Sequence, residues 1–360
     1  MSCSRHSLNE NNAYNHYISR KWLAFISFAV ILIVVSLISL SVGSSRLPLA
    51  EIVRTLFGGG DDVSRTIIFN VRMPRIATGI AVGLALAMAG SIMQNVLRNP
   101  LASASTLGIA QGASFGAAIG IVYFQAGAHV GAASALTISI TNPYIVTVFA
   151  FLGGITSTIL ILLLSRVAGV TSTSVILAGV ALSAMFTGGI ALVQYFADDN
   201  RIASIVYWTF GNLGRAGWNE IAIIFSVSAI AFVYFIFNRW NYNAMESGTH
   251  TAKSLGVNVD ALILISMAVA TLISAVAIAF VGTINFIGLI APHIVRKFVG
   301  NDHRFLIPCS AIMGAVIILL ADIASRMIAT PAILPIGALT SFLGAPLFIY
   351  LIVKKGKQAR

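Results

Sequence analysis

Residues 70–93 read NVRMPRIATGIAVGLALAMAGSIM. Arg72 and Arg75 flank Pro74, and no further charged residue follows until Arg98. An uncharged run of this length supplies the roughly 20 residues a helix needs to cross about 30 Å of hydrocarbon. If the run spans a membrane, the two arginines stand at its mouth. Their side of the membrane, and their purpose there, become the first questions.

Composition answers the condition. Hydrophobic residues make up 58% of the 360-residue chain and charged residues 9%, against about 25% charged in soluble domains. The mean hydropathy is +0.93. One water-soluble core could not hide that much apolar surface, so the chain reads as an all-α polytopic membrane protein. Apolar windows punctuated by Gly, Pro and charge predict ten transmembrane helices. They lie at about 22–42, 75–97, 104–125, 143–165, 173–196, 219–238, 258–281, 284–299, 306–328 and 333–353. The eighth is odd, because residues 284–295 give only about 18 Å of helix and Pro292 and His293 interrupt it. Such a segment is expected to be buried against other helices, where broken backbone is tolerated.

The polar stretch 1–21 reads as a tail and 22–353 as the membrane domain, with 354–360 as a second tail. The first apolar run is too long for a cleavable signal core. Cys3 and Cys309 have no motif spacing and imply neither a disulfide nor a metal site. With ten spans both termini share a side. That side collects fourteen of the 22 Lys and Arg and four of the 11 acidic residues. The excess of positive charge places it in the cytoplasm. A basic total of this kind reflects topology and anionic lipid and does not argue for nucleic acid. Arg72 and Arg75 therefore fall outside, as does Arg326, four residues after Asp322 and able to pair with it on one helix face. Two readings stand for the outer arginines: long side chains anchoring at the headgroups, or a docking patch for an acidic external partner.

Several longer stretches then resemble a known family. VRMPRIATGIAVGLALAMAGSIMQNVLRNPLASASTLGIAQGASFG (71–116) resembles the early signature of FecCD-type permeases, the membrane subunits of binding-protein-dependent ABC importers for ferric siderophores, haem and cobalamin. KSLGVNVDA (253–261), GTINFIGLIAPHIVRKFVGNDHRFLIP (282–308), LLADIASR (319–326) and LPIGALTSFLGAPLFIYLI (334–352) continue the likeness in order, and it covers about residues 65–353. The resemblance implies type II ABC importer permease architecture in the cytoplasmic membrane of a prokaryote. It implies a second permease subunit, identical or related, with a pathway between the two. An extracytoplasmic substrate-binding protein would dock on Arg72, Arg75 and Arg326. A cytoplasmic ATP-binding subunit would receive the loop at about 241–259, which in the family forms two short helices, with Ser254, Leu255 and Gly256 at the coupling contact. One departure is Ser247-Gly248-Thr249-His250, where family members carry acidic residues after a Leu-Gly.

The residues themselves support no other chemistry. No G-x-x-x-x-G-K-[ST] cradle for phosphate occurs, and Gly58-Gly59-Gly60 is followed by Asp61 and Asp62, the wrong charge for that task. His293 lacks companions at metal-ligand spacing and reads as a packing or backbone-bonding residue. Asp322 is the one acidic residue well inside an apolar run, a proton-coupling candidate in an ion-coupled carrier, with Arg326 offering a structural pair instead. No cofactor and no catalytic constellation is indicated. Ser183, Phe186 and Thr187, on the fifth span, are candidates to line a pathway, with buried core as the competing reading.

Overall fold

The computed structural model describes residues 2–43, 48–124, 128–130, 138–140, 142–167, 172–329 and 332–358. Arg46 and Arg360, which entered the charge partition, lie outside the described residues. Helices α1 to α15 follow in chain order.

Each of the ten apolar windows falls on a helix. They are α1 (Ser2–Ser41), α4 (Met73–Val96), α5 (Ile109–Tyr123), α6 (Pro143–Val167), α7 (Ser172–Tyr195), α9 (Trp218–Phe237), α12 (Val259–Val281), α13 (Ile287–Val299), α14 (His303–Met327) and α15 (Ile336–Gln358). Seven stretches are long and apolar enough for a full crossing. Three are short: α5 has 15 residues, α13 has 13, and the apolar part of α15 runs Ile336–Pro346. At 1.5 Å per residue, α5 and α13 reach only about 22 and 20 Å. The predicted span 104–125 starts late because residues 98–108 fold on themselves. Asn99 accepts the Leu101 amide at 2.9 Å, the Thr106 hydroxyl donates to the Leu101 carbonyl at 2.9 Å, and Gly108 turns the chain at φ +74°.

The remaining elements are small. They are α2 (Leu49–Leu56), α3 (Asp62–Thr66), α8 (Asp199–Thr209), α10 (Arg239–Glu246), α11 (Thr249–Ser254), a π turn (Ile67–Arg72) and a 3-10 turn (Leu213–Arg215). The all-α expectation needs one amendment. Strands β1 (Ala128–Val130) and β2 (Ile138–Ile140) form an antiparallel ribbon with Ala128 opposite Ile140. Helix α1 runs unbroken through the polar stretch before residue 22.

Helix α4 is the axis of the bundle, packed on α9, α12, α13 and α14. Small residues let these backbones touch, which matters in lipid, where apolar side chains gain little from leaving an apolar solvent. A Cβ on Gly90 would stand 1.8 Å from the Gly288 carbonyl oxygen, and one on Gly83 would stand 2.5 Å from the backbone of Ala315. No side chain fits at either crossing. α5 packs on α6 and α7, and α12 joins α5 and α6 to the bundle. The two ends of the bundle are built differently. One gathers the C-terminus of α1, the start of α4 and the end of α14; the other gathers Lys21, α10 and the α13–α14 junction.

Candidate functional site

At the first end, Arg72, Arg75 and Arg326 come together, but they face inward. Asp322 is fully buried on α14 and takes both Arg75 Nε at 2.8 Å and Arg326 Nη2 at 2.9 Å. The Asp322–Arg326 spacing of four places both on one helix face, as expected. The Arg75 contact joins residues 247 apart in the chain and is invisible to local pattern. Arg326 also donates to the carbonyls of Ser39 and Val42 and to the Ser39 hydroxyl, and Arg72 donates to the Leu40 carbonyl. These carbonyls lie on the last turn of α1 and just after it, where intrahelical partners run out and the helix dipole favours a cation. The side chains of Arg75 and Arg326 are only 11% and 8% exposed. The expectation of an open patch of three arginines is therefore corrected in form. Burying one carboxylate among spans requires partners, and these arginines supply them.

A cation that the sequence reading passed over stands beside this knot. Arg215, in the 3-10 turn, lines an outward cavity of about 480 Å³ with Arg75, Asn70 and Trp218. Its guanidinium lies over the rings of Tyr207 and Trp208, at 5.6 and 6.0 Å. Among the described residues no carboxylate pairs with it, and burial draws its pKa below the ordinary guanidinium value. No signal flagged it, because its aromatic partners reach it through the turn.

The opposite end is a seam of amides and charges. Lys21 meets Asp302 at 3.1 Å, and the Asn243 amide donates to the same carboxylate at 3.2 Å. Burial alone would raise the Asp302 carboxyl; the Lys21, Asn243 and Arg304 donors outweigh it and hold the pKa below the ordinary value. Asn95 and Asn301 each donate to Glu246 at 3.1 Å, so the last residue of α10 is tied to α4 and to the turn after α13. A cavity of about 350 Å³ opens here, lined by Arg98, Glu246, His293 and Arg296 among others. His293 thus sits at a polar wall. No group of three metal-ligating side chains occurs among the described residues.

Helices α10 and α11 are the two short helices that the resemblance implied for residues 241–259. Tyr242, Met245 and Ala252 anchor them inward and are fully buried, with the Tyr242 hydroxyl 2.8 Å from that of Ser266. Ser254 and Leu255 lie at the tip, and Leu255 is 68% exposed. Gly256 turns the chain at φ +84°, a conformation that suits glycine. Leu255 is thus a large apolar side chain on an otherwise polar tip.

The three α7 candidates separate. Phe186 is buried against Phe115 of α5, ring centroids 5.8 Å apart, and takes the buried-core reading rather than an exposed one. That correction follows from α5–α7 packing. Ser183 is half-buried and bonded to the Gly179 carbonyl at 2.8 Å; Thr187 alone is exposed.

Comparison with known proteins agrees with this architecture. The model of the FecCD transport family matches residues 31–354. The "Putative ABC transporter permease protein MJ0087" of Methanocaldococcus jannaschii is 50% identical over 345 residues, 96% of this chain and 98% of that one. The iron(3+)-hydroxamate import system permease protein FhuG of Bacillus subtilis is 33% identical over 325 residues, 90% of this chain and 95% of that one. A solved structure, "An inward-facing conformation of a putative metal-chelate type ABC transporter", superposes with a TM-score of 0.76 at 28% identity, covering 93% of this chain and 99% of that one. With ten helices where ten apolar windows stand, and a family match from the first span to the last, this chain belongs to the FecCD transport family.

Proposed function

We propose that this chain is the membrane-spanning permease subunit of an ABC importer. It takes a ferric siderophore from an external binding protein and moves it inward on energy from a separate cytoplasmic ATPase. The observation that carries this reading is the α10–α11 pair, a rigid element anchored by buried Tyr242 and Met245 that presents Leu255 to the solvent. The iron cargo rests on similarity to relatives named for iron-hydroxamate and metal-chelate transport; haem and cobalamin are the alternatives. In this reading all ten helices cross, the short ones sheltered by neighbours, and both termini are cytoplasmic. A second permease subunit covers the open face of α7. The ion-coupled carrier is disfavoured by Asp322, whose carboxylate is committed to two arginines.

The binding protein docks at the end that holds Arg72, Arg75 and Arg326. Here the knot fixes the surface, and an acidic side chain of the partner reaches Arg75 and Arg215 through their shared cavity. Arg215→Gln is expected to weaken binding-protein affinity about tenfold, equivalent to about 1.4 kcal/mol, with the loss shrinking in high salt. Unchanged affinity removes Arg215 from the docking surface.

Leu255→Asp tests the ATPase contact. The side chain is exposed, so the permease alone keeps its thermal stability in detergent. Co-purification with the ATPase is lost, or ATP hydrolysis continues without uptake, because an unpaired charge enters the interface at several kcal/mol. A variant that assembles and transports normally would rule out this tip as the coupling contact. The cargo is read by titrating the partner binding protein with ferric hydroxamate, haemin, cobalamin and molybdate.

A further inference from the structure

Helix α13 carries Pro292 in its middle, and proline has no N–H to give to the carbonyl four residues back. The orphaned acceptor is the Gly288 carbonyl. Gly288 is buried, so a protein group must take the place of the missing bond. Here it comes from another helix. Gln94 of α4, buried at 3% exposure, directs its Nε2 at the Gly288 carbonyl at 3.3 Å and at the Leu289 carbonyl at 3.4 Å. The Oε1 of the same amide accepts from Arg296 Nη1, one turn beyond the proline. These demands fix the amide's orientation, since only its NH₂ can serve carbonyls and only its oxygen can serve a guanidinium. Gln94 thus grips α13 on both sides of its break. The grip is short because Gly90 and Gly288 bring the two backbones into contact.

The next residue holds a different element. Asn95, equally buried, gives its amide to the Tyr242 carbonyl and to Glu246 of α10, both at 3.1 Å. Two adjacent side chains at the end of α4 therefore clasp the broken span and the cytoplasmic helix pair. We infer that Gln94 and Asn95 form the junction through which motion of α10–α11 reaches α13, with Gln94 splinting the proline break so that α13 moves as one body. This rests on the importer reading above. Gln94 is a positioning residue that acts through α13.

Pro292→Ala makes the idea testable, because it restores the N–H that Gln94 replaces. In the permease alone, reconstituted in nanodiscs, Gln94→Met should raise hydrogen exchange of the α13 amides at least about tenfold, and Q94M/P292A should return it toward wild type. In the full complex with the ATPase and binding protein, cargo moved per ATP hydrolysed should fall by a similar factor in Q94M and recover in Q94M/P292A. Asn95→Ala should lower that ratio while α13 exchange stays at the wild-type level. Q94M that remains coupled overturns the inference, even if it melts earlier, and so does a loss that P292A does not repair. If Q94M fails to assemble, P292A and Q94M/P292A are compared, and a coupling difference of about tenfold or more between them overturns it. A wild-type complex that moves no cargo with ATP overturns the importer reading itself. The exchange experiment on the permease alone separates that failure from a failure of the splint.

Discussion

Helices α4 and α7 have 24 residues each, and the mean hydropathies of their most apolar stretches are nearly equal, 2.0 and 2.1. Yet 83% of that stretch is buried in the span containing α4 and 22% in α7. Small residues do not separate them either: α4 has eight Ala and Gly, α7 has seven. In water, apolar content predicts burial, because exposed apolar surface is penalised. In a bilayer both the protein interior and the solvent are apolar, so hydropathy reports insertion and is silent about neighbours. What sets α4 apart is polar, and it sits at the ends. Arg75 and Gln94 make bonds to elements far away in sequence, while the hydroxyls of Ser183 and Thr187 in α7 return to their own helix.

The comparison breaks most sharply at glycine. Gly90→Val should abolish the folded species, since its first carbon would overlap the Gly288 carbonyl, whereas Gly188→Val on α7 meets nothing within 4 Å. Size-exclusion profiles and thermal melts of the two variants in detergent should differ completely, with Gly188→Val within about 0.5 kcal/mol of wild type. Equal behaviour would mean that α4 is not the axis. Next in size is Asp322→Asn, which leaves Arg75 and Arg326 buried without their shared anion, at a cost of about 3–5 kcal/mol. Denaturation of the purified permease reads that loss. It also bears on docking, because Arg75→Glu would set a second carboxylate against Asp322 and unfold the knot before any partner is tested; Arg215 is the cleaner probe. The smallest contrast lies within α7. Phe186→Ala removes a packed ring and should destabilise by about 1–3 kcal/mol, less than a fully enclosed core phenylalanine. Thr187→Ala should leave stability unchanged, so any effect it has falls on transport or subunit pairing.

Much of the fold was legible in the sequence. The ten windows fall on ten helices because insertion depends on local apolar length, and the short eighth segment was visible from Pro292 and its neighbours. The exposed helix pair was legible only through family resemblance, and α8, the β1–β2 ribbon and the late start of α5 were missed. The α5 start is set by hydroxyl and amide bonds in residues 98–108, the ribbon by backbone pairing and α8 by its Asp198 cap, and hydropathy carries no signal of these. Of the candidate site residues, Arg72, Arg75 and Arg326 were found as a group, but their direction was not. An arginine at a span mouth has the same sequence signature whether it faces water or folds back on a buried aspartate.

Membrane residence, the placement of apolar segments and the Asp322–Arg326 pair follow from sequence alone, because each depends on bulk composition or on residues within one helical turn. Which helix lies at the centre, which arginines meet the buried Asp322, and how the break at Pro292 is mended were decided by tertiary structure. Gln94 and Gly288 are 194 positions apart. Glutamine at that site looks like any polar residue near a helix end until packing brings an unsatisfied carbonyl within reach, and a buried carbonyl must be bonded.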